Sequence, residues 1–154
     1  MKKFLPWIII GGALLLIVFW YVNVKNGAIT VSQAVNKEWG NVESAYQRRN
    51  DLIGNLVKTV KGAAEFEKST LEAVISARSK ATSITIDPTN ITPEQFEQFS
   101  QAQSGVSSAL SRLLVTVERY PELKANQNFL KLQDELASTE NQILTARTRF
   151  NEKV

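Results

Sequence analysis

The sequence predicts an all-α protein in which an N-terminal transmembrane helix is followed by an antiparallel bundle of long helices. Residues 4–24 form an apolar stretch without a single charge, which is typical of a membrane span. Most of the later sequence repeats apolar residues every three or four positions, and no strand-like alternation is long enough to predict a sheet. These observations divide the chain into a transmembrane anchor at residues 1–25 and a helical bundle domain at residues 26–154.

The apolar stretch is long enough to cross a bilayer. As a helix it would extend roughly 30 Å, which matches the hydrocarbon core of a membrane. A cleaved signal peptide is the competing interpretation, because Lys2 and Lys3 precede an apolar run in secretory signals too. The run is longer than a usual signal core and ends in the bulky Trp20 and Tyr21, which suit an interfacial aromatic belt. We therefore favour an uncleaved, single-pass anchor in the cell membrane.

Lysines at the two ends of the anchor predict its orientation. Lys2 and Lys3 precede the apolar stretch, whereas Lys25 alone follows it before Lys37. Basic residues that flank a membrane span are enriched on the cytoplasmic side. We therefore expect a short cytoplasmic N-terminus and an extracytoplasmic bundle.

Composition limits the classes of function. Without Lys2 and Lys3, the 18 basic residues become 16 against 15 acidic residues, and this net charge of +1 gives no reason to expect a nucleic-acid partner. The sequence has no cysteine and no histidine, which excludes disulfides, thiolate chemistry, histidine-ligated metals and a Ser-His-Asp triad. We therefore predict a non-enzymatic protein with no catalytic, cofactor-binding or metal-binding residues.

The first predicted helix of the bundle is unusually long. It covers about residues 28–82, because an apolar stripe begins at Val31, passes through Ala64 and meets no proline before the end of this range. Asn26 and Gly27 precede it, and they leave open whether this helix is continuous with the anchor.

Two more helices follow a loop at about residues 83–92. The second covers about residues 93–120, and Thr92 with Gln95 forms a capping-box pattern at its start. The third covers about residues 123–154. A coiled-coil-like antiparallel bundle is the expected packing of three such helices.

Two apolar positions make the predicted facing of these helices testable. Leu113 lies on the near-heptad stripe of the second helix and is expected in the core. Val154 continues the stripe of the third helix, with no glycine, proline or polar stop signal after it. We therefore expect the natural chain to continue beyond this position.

Three blocks of residues resemble those of a bacterial protein family. The first block, W-x-x-V-x-x-x-Y-x-R-R-x-D-L-I-x-N-L-V-x-x-V-K-G, begins at Trp39, and the second, E-R-Y-P-E-L-K-A-N, begins at Glu118. The third, L-Q-x-E-L-x-x-T-E-N, begins at Leu132 and is followed by A-R-x-x-F-N from Ala146. In this order behind an anchor, they are similar to the LemA family, although Gly54 stands where that family usually has proline. The resemblance implies a membrane-anchored helical bundle of the bacterial cell envelope, with no established enzymatic activity.

Polar residues inside these blocks form the candidate site. Arg49 interrupts the apolar stripe of the first helix and Glu140 that of the third, so both must face the bundle interior and we predict that they pair. A buried network that fixes the helix register is the favoured interpretation, and a ligand or partner site is the alternative. The candidate polar network or interaction site consists of Arg48, Arg49, Asp51, Asn55, Glu118, Glu140, Asn141, Arg147 and Asn151.

Three classes of function are compatible with this architecture, and an unrecognised enzyme is the least favoured of them. The favoured one is a membrane-anchored, non-enzymatic scaffold or interaction protein that presents a long helical bundle at the membrane surface. Its expected partners are the lipid bilayer, other membrane or envelope proteins and a second copy of the chain as a homo-oligomer. The alternative is an extracytoplasmic ligand sensor that couples shifts of the bundle helices to membrane partners. Neither function requires a cofactor.

Overall fold

Helices form all the regular secondary structure of the described residues. The computed structural model describes residues 5–62 and 66–154, with the backbone alone for residues 5–10. Its five helices are α1 Leu5–Lys61, α2 Lys68–Thr82, α3 Pro93–Val117, α4 Pro121–Lys124 and α5 Gln127–Asn151. The predicted all-α class is therefore confirmed for these parts of the chain. Lys2 and Lys3, on which the predicted orientation depends, lie outside them.

Helix α1 is continuous from the apolar stretch into the bundle. Asn26 and Gly27, where a break was an open alternative, lie inside the helix. Thr30 Oγ1 donates a hydrogen bond to Asn26 O at 2.9 Å, so this polar side chain bonds to the backbone of its own helix. One glycine costs a helix about 1 kcal/mol relative to alanine, which does not interrupt a helix of 57 residues.

The first part of α1 packs against no other helix of the described fold. Residues 11–33 are all exposed, and they include a stretch long and apolar enough to be a candidate membrane span. Among the described side chains, the first buried one is Trp39. Val31, which was expected on the core face, is 60% exposed because it lies about two turns before that point. The expectation for Val31 was therefore wrong.

The helix predicted at about residues 28–82 is two helices. Helix α1 ends at Lys61, where Gly62 N donates to Thr59 O at 3.3 Å in a tightened last turn, and α2 begins at Lys68. Ala64, a predicted stripe position, lies outside the described residues. The predicted three-helix bundle is therefore corrected to a bundle of four long helices.

Helix length explains this reversal. Helices α3 and α5 have 25 residues each, or roughly 38 Å, so they cannot cover an apolar stripe of some fifty residues. Because the chain folds back, the apolar face of α2 packs against α3 and buries Leu71 and Val74. Gly62 stands at the start of the turn, where its low helix propensity favours an end.

The four long helices form two antiparallel pairs that face each other. Helix α1 packs on α5, and Trp39 meets Phe150 edge to face with ring centroids 5.2 Å apart. Helix α2 packs on α3, and the rings of Phe66 and Tyr120 lie 4.9 Å apart at the end of that pair. Since each helix runs opposite to the next one along the chain, the topology is up-down-up-down.

The core of the bundle consists of two clusters. One is aromatic-rich and lies nearer the apolar stretch along α1, and in it the rings of Trp39 and Tyr46 lie 5.5 Å and 5.1 Å from that of Phe99. The other is aliphatic and lies farther along α1, and it contains Leu113, which is fully buried as predicted. Arg49 lies between the two clusters in the sequence of α1.

The helix boundaries near Thr92 follow the predicted capping signal. Thr92 Oγ1 accepts a hydrogen bond from Gln95 N at 3.2 Å, and Thr92 N donates to Gln95 Oε1 at 3.2 Å, so the capping box is confirmed. Helix α3 begins at Pro93 and ends at Val117, three residues earlier than expected.

The third predicted helix, at about residues 123–154, is also divided. Helix α4 is a single turn, and α5 begins anew because Asn126 Oδ1 accepts hydrogen bonds from Asn128 N and Phe129 N at 2.9 Å and 3.1 Å. Helix α5 ends at Asn151. Val154, which was predicted on the core stripe, is therefore 83% exposed, and that prediction was wrong.

Candidate interaction site: a buried arginine and the groove beside it

The side chain of Arg49 crosses the interior of the bundle. Only 1% of this residue is exposed, because it sits on the core face of α1 between the two apolar clusters. Its Nη1 donates to Glu140 Oε1 at 2.9 Å and to Ser107 Oγ at 3.2 Å. Its Nη2 donates to Gln103 O at 3.4 Å and to Gln103 Oε1. One guanidinium thus connects α1 with α3 and α5.

The predicted pairing of Arg49 with Glu140 is confirmed, but the two partners differ in their access to water. The side chain of Arg49 is 2% exposed, whereas that of Glu140 is 42% exposed. Glu140 can therefore be hydrated without its partner, and Arg49 cannot. Arg49 Nε is buried without a hydrogen-bond partner among the described residues, so the guanidinium depends strongly on its other contacts.

Tyr46 lies beside this pair, and burial opposes the ionisation of its hydroxyl. The ring centroid of Tyr46 is 5.0 Å from the guanidinium carbon of Arg49. Burial raises the pKa of the Tyr46 hydroxyl, and the nearby charges of Arg147 and Arg49 only partly oppose that effect. Arg147 and Asn151 line the same narrow crevice as Tyr46, between α1, α3 and α5.

Arg48 and Asn141, the sequence neighbours of the buried pair, lie on the outside of the bundle. Both are exposed and line a groove of about 610 Å³ between α1 and α5. The groove, which we call the α1/α5 groove, is lined by Asn41, Ser44, Ala45, Arg48, Ser138, Asn141, Gln142, Thr145, Ala146 and Arg149. Two dipeptides, Arg48-Arg49 and Glu140-Asn141, therefore each supply one inward residue to the buried pair and one outward residue to this groove.

The remaining predicted residues do not join the buried pair. Asp51 and Asn55 lie on the exposed face of α1, where Asp51 Oδ1 accepts a hydrogen bond from Gln47 Nε2 at 3.0 Å. Glu118 forms an ion pair with Lys124 just after the end of α3, beyond the aliphatic cluster. The nine predicted residues thus occupy several separate positions rather than one site.

Two contacts of the pair were missing from the predicted set. Gln103 is buried and was visible in the sequence as the one polar position in the apolar stripe of α3. Ser107 had no such signal, because serine is frequent along this helix.

Asn50 is also buried, and its backbone oxygen accepts a hydrogen bond from Arg78 Nε at 2.8 Å. Its side chain borders a cleft of about 120 Å³ between α1, α3 and the loop that precedes α3.

The chemistry of this region is that of hydrogen bonding and charge pairing. Among the described residues, no group of three histidine, cysteine, aspartate or glutamate side chains could hold a metal ion. The arrangement can hold helices in register and can offer charged and amide groups to a partner.

Helix α1 contains a candidate membrane span and then forms one wall of a four-helix bundle. This architecture is that of a membrane-associated helical protein. The chain belongs to the LemA family, whose model matches residues 38–154. The match begins one residue before Trp39, the first buried residue of α1, and thus covers the whole bundle.

Curated relatives fall into two groups of bacterial proteins. The chain is 25% identical to Protein LemA of Metamycoplasma hominis over 133 residues, which are 86% of this chain and 57% of that protein. It is 26% identical to Magnetosome protein MamQ 2 of Paramagnetospirillum magneticum over 143 residues, which are 82% of this chain and 53% of that protein. Magnetosome protein MamQ of Magnetospirillum gryphiswaldense is 25% identical over 145 residues, with the same two coverages. The chain thus spans little more than half the length of these relatives.

Proposed function

We propose that this protein is a membrane-anchored, non-enzymatic scaffold that holds a helical bundle at a set distance from the bilayer and presents it to other envelope proteins. The continuity of α1 carries the proposal. The same helix contains the candidate membrane span and supplies Arg49 to the centre of the bundle, with no loop between the two. A stiff connection of this kind suits a protein whose task is to place a binding surface.

The distance follows from the helix rise. Trp39, the first buried residue, lies fourteen residues after Lys25, so the bundle begins about 21 Å beyond the apolar stretch along the helix axis. Residues 26–33 between them are helical and exposed. A surface held at this distance from the bilayer suits partners that have a folded domain outside the bilayer.

The names of the relatives refer to LemA and to a magnetosome. For this chain we propose other membrane or envelope proteins and a second copy of itself as partners. Nucleic acid is not proposed, because the net charge beyond the anchor is close to zero.

For the topology we propose a cytoplasmic N-terminus and an extracytoplasmic bundle, on the basis of Lys2 and Lys3 against the single Lys25. A reporter that needs an oxidising compartment, fused after Val154, should be active. A reporter that works only in the cytoplasm should be silent at the same position. The reverse pattern would move the bundle and its partners to the cytosol.

The stiffness of α1 provides the test of the scaffold function. The protein in intact membranes is crosslinked, extracted in mild detergent and sized, and we expect a species larger than the same chain without crosslinker, which is 17.2 kDa for these 154 residues. A proline in place of the exposed Gln33 would kink α1 below the bundle, since proline inside a helix costs about 3 kcal/mol. Gln33→Pro should therefore lose the larger species and the matched Gln33→Ala should keep it. A monomer alone in the parent, or an unchanged species in Gln33→Pro, would contradict the proposal.

A ligand sensor is the second candidate, and its ligand would have to be small, because the cleft beside Asn50 has a volume of only about 120 Å³. This cleft is lined by aromatic side chains, among them Trp39 and Phe99, and by the polar Gln103 that contacts Arg49. A ligand bound there would act on the residues that hold α1 to α3. A sensor would have to change its crosslinking pattern when a small molecule is added, whereas a scaffold would give the same pattern throughout.

A further inference from the structure

We propose that the α1/α5 groove docks an acidic segment of a partner protein. The inference rests on the scaffold function proposed above and adds the surface used and the chemistry of the partner. The names of the relatives mention no binding surface.

The charge of the groove carries the first step of the argument. Its lining contains the guanidinium groups of Arg48 and Arg149, several carboxamides and hydroxyls, and no carboxylate. Glu38, which accepts a hydrogen bond from Asn41 Nδ2 at 3.1 Å, lies at one end of the groove. Within the described chain neither Arg48 nor Arg149 forms an ion pair, whereas Arg49 and Arg119 do. The groove thus offers two guanidinium groups without an ion pair among the described residues, surrounded by hydrogen-bonding groups. On the other side of Arg48, Glu43 and Asp51 line a neighbouring surface groove.

The shape of the groove carries the second step. Its floor contains Ala45 and Ala146, whose small side chains let α1 and α5 approach closely and leave open space above them. On α5 the lining extends from Ser138 to Arg149, which is about 16 Å along the helix axis. This length suits about three turns of a docked helix or about five residues of extended chain.

The spacing of the two arginines suits two separate acidic groups on one chain segment. The pairing of Arg49 with Glu140 places Arg48 opposite Asn141, because α1 and α5 are antiparallel. Arg149 lies eight residues beyond Asn141, so the two arginines occupy opposite ends of the groove, about 12 Å apart along the axis. A single phosphate would contact both arginines only if both side chains bent toward the middle of the groove. Two carboxylates seven residues apart on a helix match it, and each can accept a bidentate pair of hydrogen bonds from arginine.

Distance also favours a protein over lipid headgroups as the source of negative charge. Asn41, at the end of the groove nearer the anchor, lies 16 residues after Lys25 on a continuous helix, about 24 Å along its axis, and Arg48 lies about 35 Å along it. Electrostatic attraction between exposed charges is screened over about 8 Å to 10 Å at physiological ionic strength. Anionic lipids at the end of the anchor therefore act weakly on the groove, whereas a partner that stands beside the bundle reaches it directly.

Site-specific photocrosslinking in intact cells tests the proposal. A photoreactive amino acid is placed in full-length protein at Gln142 or Thr145 in the groove, and at Gln133 on α5 outside its lining as the control. The captured peptide is sequenced by mass spectrometry. We expect the groove positions, and not the control, to capture a segment rich in aspartate and glutamate. Capture of lipid, of a basic or apolar segment, or of the same peptide at the control position would overturn the proposal.

Charge substitutions then test whether the arginines hold this segment. Arg48→Gln combined with Arg149→Gln should reduce capture about tenfold or more, because each substitution removes hydrogen bonds to a charged acceptor. Each arginine is also replaced alone, and Arg112→Gln is the matched control for these single variants, since Arg112 is exposed on α3 and its replacement removes one positive charge elsewhere. Equal loss in the control would show a net-charge effect and overturn the proposal. Circular dichroism of the variants should match the parent, because no described hydrogen bond uses these three side chains.

The two proposals can fail separately. If the larger crosslinked species persists while the groove positions capture nothing, the groove inference is wrong and the scaffold function stands. If no larger species forms and no position captures a partner, both are wrong. A charge swap provides the last check: Arg149→Glu should lose capture, and a lysine in place of the contacted partner carboxylate should restore it. Failure of this swap after an acidic segment has been identified would overturn the assigned contact.

Discussion

Breaking the buried pair of Arg49 and Glu140 should have unequal effects on stability. In Glu140→Leu the guanidinium remains buried with only Gln103 and Ser107 as acceptors, and an uncompensated buried charge costs about 3 to 5 kcal/mol. Because those two acceptors remain, we expect the lower end of this range. In Arg49→Met the freed carboxylate of Glu140 is 42% exposed and can be hydrated. The main loss there is the unpaired side chain of Gln103, at about 1 to 3 kcal/mol.

The double variant isolates the interaction between the two residues. Once Arg49 is methionine, Glu140 has no buried charge to neutralise, so replacing it with leucine should cost nothing more. The double variant should therefore unfold like Arg49→Met, and the coupling free energy should be close to the full cost of Glu140→Leu alone. Arg48→Met, at the exposed neighbouring position, is the control and should stay within about 0.5 kcal/mol of the parent.

Denaturant unfolding of the full chain in detergent, followed by circular dichroism, measures these free energies. The reasoning would be refuted by a cost below about 1 kcal/mol for Glu140→Leu, since the guanidinium would then be hydrated or fully held by its other contacts. Additive effects of the two substitutions would also refute it, because independent residues show no coupling free energy.

Three other substitutions test the core, the helix backbone and the pH dependence. Leu113→Ala should lower the free energy of unfolding by about 2 to 5 kcal/mol because the side chain is fully buried, whereas Val115→Ala, at a position 72% exposed, should change it little. Gly54→Ala should raise it by about 1 kcal/mol, because a Cβ there would meet only the end of an arginine side chain at 3.6 Å. At Gly62 a Cβ would lie 3.3 Å from a backbone oxygen, so alanine should bring no gain. Above about pH 10 the unfolded chain should lose the Tyr46 proton before the folded chain does, so the parent should lose more stability with rising pH than Tyr46→Phe. The reverse pH dependence would contradict the burial of a neutral hydroxyl.

The pairing of Arg49 and Glu140 could be predicted because each interrupts an apolar stripe at a position that must face inward. The reversal between α1 and α2 could not, since Ala64 continues the helical spacing and only Gly62 indicates an end. Local periodicity contains no information about the lengths of the helices that must cover a stripe. The reversal could have been predicted by comparing the length of the stripe, some fifty residues, with the length of the helices that cover it, which is 25 residues each.

The separation of the nine predicted site residues has a similar physical cause. The predicted set included Arg48, Arg49, Glu140 and Asn141, but successive residues on a helix are about 100° apart, so one side chain of each dipeptide faces inward and the other outward. The stripe therefore located the buried pair correctly. The α1/α5 groove needed the antiparallel contact of two helices distant in sequence, which the periodicity of each alone does not contain.

The position of Arg49 between two apolar clusters also limits how the bundle can move. If α5 slid along α1 by one helical turn, about 5.4 Å, the guanidinium would leave Glu140 and meet apolar side chains. Its charge would then be unmatched in the interior, which makes such sliding unfavourable by several kcal/mol. Small sliding movements of packed helices are one common way in which helical proteins change conformation. Because α1 is continuous through residues 26–33, motion that starts in the candidate membrane span should reach the groove as a tilt of the entire bundle.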